Sequence, residues 1–398
     1  MTSIKVPQAR PLPKSATFEI ARRVADLRAQ GRTVLDLATG EPSFDTPVAV
    51  VRAAEQALRD GYTHYTPSGG LAETREAARE TLGRHHGVRV RTEQVFIVPS
   101  AKYGIFASLA SIVTPGDEVV LVGPHWVSYE PMLVLLGAVP RHLVLDSASN
   151  YRFSAPSLRS VMSSRTRAIL INTPGNPSGR VLDTGEIEAL AEACADSDCW
   201  IVSDEIYAQI VFDGGVHLAP ASHPALAERT FTVGGLSKSH AMTGWRLGYV
   251  GVPQSAVNAI DATVQNTVGC APAFVQRASV VAMREVDAEV AAMVAEYQRR
   301  RDELCGALAS VPGFRLSTPQ GALYAWVDIS RAGRGDGGEI ARLLLEELGI
   351  AVAPGHAFGA EYTDFVRFAY GCGSDAISAA CAALAKWSLT APQPLASP

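Results

Sequence analysis

The chain has 398 residues, more than one average domain and within the span of two, and its 47% hydrophobic content supports a full core. A net charge of −5 with both signs mixed argues against nucleic acid as a partner. No apolar run approaches about twenty residues and Met1 to Pro13 lacks the hydrophobic centre of a signal peptide, so no membrane is expected and the expected compartment is the cytoplasm.

Pro7, Pro11 and Pro13 make the start read as an extended arm. From about Pro47 to about Glu285, strand-like runs alternate with helical stretches, which predicts an α/β fold with a mostly parallel sheet wrapped by helices. Val95 to Val98 reads as a strand leading through Pro99, Ser100, Ala101 and Lys102 into a helix-like stretch ending near Val113. Backbone N–H groups at Ser100 to Lys102 would then open a helix, ready for a phosphate, although Ser100 serves equally as a plain N-cap. Glu118 to Val122 reads as the next strand, followed by Gly123 to Tyr129; Trp126 in that turn is suited to stacking on a flat ring or to core packing.

Arg167 to Asn172 predicts another strand, closed by the loop Thr173 to Gly179, whose density of Pro, Gly and Asn also fits an ordinary turn. In that turn Asn176 would have no task, whereas a buried amide could donate to a ring oxygen. Cys199 to Ser203 is an apolar run ending in Asp204, with Tyr207 one turn on. Open α/β sheets place ligand-binding groups at such carboxyl ends, and Asp204 there could face a protonated ring nitrogen or merely cap a helix. Arg229 to Val233 leads to Gly234–Tyr249, which sets Ser237 and Lys238 among small residues with Arg246 eight positions after the lysine. Lys238 could form a Schiff base with an aldehyde, Arg246 offers a planar fork for a phosphate, and Ser237 can donate beside it.

Val286 to Gly306 reads as a long helix whose charged run, Tyr297 to Glu303, is expected to be a solvated face. The rest mixes short strands with helices, as in a small α+β domain, and Thr390 to Pro398 reads as a loose tail. Expected boundaries are 46–285 for a large domain, with 1–45 and 286–398 forming the smaller one and its N-terminal arm. The six cysteines show no close CxxC pairing and no His cluster with metal spacing, so they are expected to be reduced and no metal is expected.

In this order, the blocks Leu37–Pro47, Tyr65–Gly70, Asn176–Gly179, Ser203–Tyr207, Ser237–Lys238 with Met242–Arg246, Gly321–Tyr324 and Val366–Tyr370 resemble those of the fold type I pyridoxal-phosphate enzymes. Specifically they resemble the class I and II aminotransferases of the aspartate aminotransferase subgroup Ib, from about Ser15 to about Tyr370. The resemblance implies a mostly parallel seven-stranded sheet and pyridoxal 5′-phosphate as cofactor. It makes Lys238 the covalent attachment point, Asp204 the partner of the ring nitrogen, and Asn176 and Tyr207 the donors to the ring oxygen. Ser100, Ala101, Ser237 and Arg246 would hold the phosphate, Trp126 would stack on the ring, and Tyr65 would reach the phosphate from the other subunit of a homodimer with shared active sites. Gly40 and Arg367 match the α-carboxylate site, with Trp126 and Asn176 also against the substrate. Lys102 matches a lysine that meets the distal carboxylate of acidic substrates, or it neutralises the phosphate.

The reaction so implied is a ping-pong transfer of an amino group from an L-amino acid, of aspartate or glutamate type, to a 2-oxo acid. A lyase, cyclase or oxidase using the same cofactor would need the same residues. A regulator that only senses the cofactor would need a basic helix-turn-helix, which the chain lacks. Departures from the family pattern fall at Gly235, His125 and Asn266 to Ala271, on the substrate side, and Cys270 lies in the last of these.

Overall fold

The computed structural model of the protein describes residues 16–390. The expected arm at residues 1–13 lies outside them, as does the expected tail except for its first residue, Thr390.

Seven strands form the main sheet: β1 (Val95–Val98), β2 (Glu118–Val122), β3 (Val139–Leu143), β4 (Thr166–Asn172), β5 (Trp200–Asp204), β6 (Thr230–Gly235) and β7 (Gly248–Gly251). Their spatial order is β1-β7-β6-β5-β4-β2-β3. Every pairing is parallel except those of β7, which runs antiparallel to both β1 and β6. The central strands read as unbroken apolar runs because helices cover both faces. Alternate residues serve opposite sides: Val202 packs with Leu121, Phe231 and Val250 on one face, Ile201 with Val120, Ile169 and Leu190 on the other. Edge strand β3 is half-exposed and alternates, which is why its Val-Pro-Arg-His-Leu run does not announce itself as a strand.

Because β7 is reversed, its first residue lies at the same edge as the last residues of its neighbours: Gly248 is in register with both Val98 of β1 and Gly235 of β6. Asp204 at the end of β5 is level with Asn172 of β4. The segments that follow β1, β2, β4, β5 and β6 and the one that precedes β7 therefore emerge at one edge, where open α/β sheets bind ligands.

A second, four-stranded antiparallel sheet contains β8 (Arg315–Leu316), β9 (Tyr324–Asp328), β10 (Ala353–Pro354) and β11 (Phe365–Ala369), in the order β10-β11-β9-β8. Residues Leu35–Asp36 pair with Ile350–Ala351, so the N-terminal segment is bound to the C-terminal part of the chain. Arg367, opposite Trp326 on β9, is thereby carried toward the large sheet.

The long helix spans Asp287–Ala309, and its charged run is only in part the solvated face expected of it, with Arg299 and Asp302 exposed. Tyr297, Arg300 and Arg301 are buried. Arg301 pairs with Asp213 and lies over Phe212; Arg300 pairs with Glu296, donates to the Cys372 carbonyl and lies over Phe44. Ion pairs, a carbonyl acceptor and aromatic faces offset the desolvation of these buried guanidinium groups, so charge alone misplaced this face. Among the described residues no helix is long and apolar enough to cross a membrane.

Candidate active site

At the converging strand ends lies a cavity of about 360 Å³. It is lined by Ser100, Ala101 and Lys102 after β1, Trp126 after β2, Asn176 after β4, and Asp204 and Tyr207 at and beyond β5. Ser237 and Lys238 enter after β6, Arg246 before β7, Gly40 from the N-terminal segment and Arg367 from β11. Twelve sequence-predicted residues named here thus meet in one place. Tyr65 does not: its side chain is 98% exposed and lies outside this chain's cavity.

The β1 end is built to face an anion. Ser100 caps the helix Ala101–Ile112, its Oγ accepting from Tyr103 N at 3.2 Å. Its backbone stands at φ 121°, ψ 153°, a region that costs a non-glycine residue about 1–3 kcal/mol and persists where the surroundings impose it. Gly248 is what allows the approach, since a Cβ there would sit 2.4 Å from Ala101 N. Lys102 has its ammonium pushed to lower pKa, first by burial and then by Arg246, so two cations and a helix N-terminus share this end. Arg246, left-handed at φ 56°, is fixed by donating from Nη1 to the Thr243 carbonyl at 2.8 Å.

Lys238 Nζ donates to the Gly40 carbonyl at 2.6 Å. Gly40 admits no side chain, because a Cβ would stand 2.0 Å from the Tyr324 hydroxyl, which is itself 2.7 Å from the hydroxyl of Tyr207. Asp204 is buried; its Oδ2 accepts from the Tyr129 hydroxyl at 2.6 Å and its Oδ1 from Ile206 N at 3.2 Å. Burial pushes the Asp204 carboxyl up to about 6, against the pull of those two donors and of Lys238. Trp126 stands edge-on to Tyr129, ring centroids 5.5 Å apart, with Lys102 Nζ 5.0 Å from its own ring centre.

Arg367 is a buried charge with no ion-pair partner among the described residues. It is 3% exposed and lies over the rings of Tyr324 and Phe358 at 4.4 and 4.8 Å. Its Nη1 donates to Asn176 Oδ1 at 3.0 Å and its Nη2 to the Ala38 carbonyl, while Nε has no partner. Among the described residues no carboxylate lies within ion-pair distance of it. Burial drives its pKa down, so a bound carboxylate would supply the missing counter-charge. Asn176 is placed by Asn172, whose Oδ1 accepts from Asn176 N at 2.6 Å and whose Nδ2 donates to the Asp204 carbonyl at 2.8 Å.

Sequence reasoning assigned no role to Tyr129, Tyr324 or Asn172. Each sits in a segment it singled out, but a phenol or amide near a strand end is indistinguishable from core filler until its partner, far along the chain, is known. The departures at Gly235, His125 and Asn266 to Ala271 do not line the cavity. Gly235 instead makes room for Ile206, whose Cδ1 would lie 2.9 Å from a Cβ at that position. All six cysteines are free thiols.

The chain is similar to known proteins along most of its length. The family described as aminotransferase class I and II matches residues 32–384. An aspartate aminotransferase of Musicola paradisiaca is 36% identical over 373 residues, covering 94% of this chain and 93% of that protein. An arginine–pyruvate transaminase of Pseudomonas aeruginosa is 36% identical over 375 residues, covering 93% and 94%. The solved aspartate aminotransferase of Rhizobium meliloti superposes with a TM-score of 0.92 at 30% identity, over 98% of this chain and all of that one. That of Thermus thermophilus with maleate gives 0.90 at 32%, over 96% of this chain and all of that one.

Proposed function

The chain belongs to the class I and II aminotransferases, and on that premise we propose that it moves the amino group of a dicarboxylic L-amino acid to a 2-oxo acid by a ping-pong route using pyridoxal 5′-phosphate. The observation that carries the reading is the buried, unpaired Arg367 sharing one cavity with Lys238 and Asp204.

The cavity fits the cofactor. Ser100 to Lys102, Ser237 and Arg246 offer donors and positive charge for a phosphate, and the close approach permitted by Gly248 keeps that end open to backbone N–H groups. Asp204 offers a carboxylate for a ring nitrogen, Asn176 and Tyr207 donors for a ring oxygen, and Trp126 a flat face. When bound, pyridoxal phosphate supplies an aldehyde for the amine and a ring that takes up the electrons left when Cα loses its proton.

This chain's residues do the rest. Arg367 grips the α-carboxylate and so fixes which bond at Cα faces Lys238. Lys238 would be the covalent attachment point; freed by the substrate amine, its Nζ would take the proton from Cα and return it to the cofactor's C4′, acting as base and then as acid. Asp204, ionised, keeps the ring nitrogen protonated. The first 2-oxo acid then leaves before a second one enters and reverses the steps.

For the distal group, Lys102 sets positive charge on the cavity wall beside the Arg246 that serves the phosphate, and Asp204, committed to the ring, is its one carboxylate among the described residues. That favours a second carboxylate over a distal guanidinium; maleate, held by the Thermus thermophilus neighbour, is likewise a dicarboxylate. A second copy of the chain would cover Tyr65, which stands 98% exposed, and let it reach the partner's phosphate site.

The test is a half-reaction on the purified, cofactor-loaded protein with aspartate, glutamate, alanine and arginine in turn. Aspartate or glutamate should yield its 2-oxo acid with stoichiometric pyridoxamine phosphate, ahead of the others. Release of ammonia in place of the 2-oxo acid transfer would overturn the reading.

A further inference from the structure

We propose that Tyr129 is a positioning residue for this reaction: its hydroxyl locks the Asp204 carboxylate as an anion aimed at the cavity, an inference that rests on the reading of the cavity as a pyridoxal phosphate site.

Tyr129 does not line the cavity, so it acts on a ligand only through other residues. It opens the helix Tyr129–Leu136 after β2, whereas Asp204 ends β5, and β4 lies between those strands in the sheet. A side chain as long as tyrosine spans the end of β4 and brings its hydroxyl 2.6 Å from Asp204 Oδ2. Both residues are buried, Tyr129 completely. With Ile206 N on Oδ1, each carboxylate oxygen has one fixed donor, and each keeps lone-pair capacity for a further one.

The chemistry of the pair runs one way. Burial, and then the charge of Asp204, hold the Tyr129 phenol well above its ordinary range, so it stays a neutral donor at any working pH. A donor to a carboxylate stabilises the charged form. It opposes the burial that drives Asp204 upward; of the other charged neighbours, Glu205 pushes the same way as burial and Lys238 the opposite way. Without the phenol, Asp204 would favour its protonated form and lose its hold on a protonated ring nitrogen. Trp126, Val127 and Ser128 of the same turn do line the cavity, and Trp126 packs edge-on against Tyr129, so one side chain sets both the stacking face and the carboxylate.

Tyr129→Phe keeps the ring and its packing while removing the hydroxyl. In the unloaded protein, the Asp204 titration followed by carboxyl-selective infrared or NMR spectroscopy should move up by about one unit. Equilibrium affinity for pyridoxal phosphate should fall about tenfold, whereas affinity for its 1-deaza analogue, which has no ring nitrogen, should change by less than about twofold. In an Asp204→Asn background, Tyr129→Phe should alter neither affinity. An unmoved Asp204 titration, or an equal loss for both ligands that persists in the Asp204→Asn background, would reduce Tyr129 to a packing residue and overturn the proposal. Failure of the wild-type protein to bind pyridoxal phosphate would instead sink the site reading, while the ligand-free titration would still decide the Tyr129 assignment.

Discussion

Asp204 and Glu205 are consecutive buried carboxylates at one strand end, and their surroundings drive them in opposite directions. Glu205 turns away from the cavity, where its Oε2 accepts from His86 Nδ1 at 2.6 Å and His217 Nε2 at 2.7 Å; His86 Nε2 lies 3.2 Å from the Tyr249 hydroxyl. Burial pushes Glu205 upward, but the charge and hydrogen bonds of the two imidazoles outweigh it and bring the carboxyl down to about 2. For Asp204 burial wins, and the carboxyl rises to about 6. The hydrogen-bond partners that hold Glu205 ionised are built into the protein, and these short contacts tie the helix Ala72–His86 to the strand end. Asp204 has two neutral donors, the charge of Lys238 and a cavity, and burial still wins, so the rest of its compensation has to arrive with a ligand. Burial is common to both; what separates a structural carboxylate from a functional one is whether its compensation is internal.

The comparison can be broken at several points. The largest expected effect is on the cavity side: Lys238→Ala should abolish covalent attachment and nearly all turnover. Borohydride reduction of the loaded wild-type protein, followed by peptide mapping, should label Lys238, and a label on another lysine would refute the assignment. Next, Asp204→Asn should leave cofactor bound yet raise the barrier by about 4 kcal/mol, roughly a thousandfold in kcat, since an amide carries no charge to keep the ring nitrogen protonated. One residue on, the effect should move from rate to stability. Glu205→Gln should cost about 2 kcal/mol of unfolding free energy for the charge-assisted bonds it loses, with turnover within about tenfold of wild type. A Glu205→Gln enzyme as crippled in turnover as Asp204→Asn would erase the distinction. The smallest effect is on specificity: Lys102→Ala should raise KM about tenfold for dicarboxylic substrates and spare neutral ones. Equal losses on both would assign Lys102 to the phosphate alone.

Much of this site was legible because buried parallel strands read as apolar runs whose carboxyl ends are marked by abrupt changes in composition. Asp204 after Cys199 to Ser203 and the Pro-Gly-Asn loop around Asn176 are such marks, and the family resemblance supplied the order and the roles. Strands β3 and β7 were not legible. The first is an exposed edge with Pro140 and Arg141 in it, and the second is short and starts with a glycine whose reason, the close pass of Ala101 N, exists only in the folded chain. The partners that separate Asp204 from Glu205 were hidden too, since Tyr129 lies 75 residues from Asp204 and His86 lies 119 from Glu205. Arg300 and Arg301 misled for a related reason: their pairing partners and aromatic neighbours come from other segments.

The most direct test of the claim that Asp204 is held in reserve for a ligand is the pH dependence of unfolding of the unloaded protein, wild type against Asp204→Asn. In the folded state Asp204 titrates near 6, above the value of about 4 of an unfolded aspartate, so the folded state binds more protons in that window and its stability falls as pH rises through it. Glu205, depressed to about 2, contributes stability that is present above about 4 and is lost as pH falls toward 2. At pH about 8 the unloaded Asp204→Asn protein should therefore be more stable than wild type by about 3 kcal/mol, with the gain fading as pH falls below about 6. An Asp204→Asn protein less stable than wild type at pH about 8 would show that Asp204, like Glu205, is compensated from within, and would contradict the account.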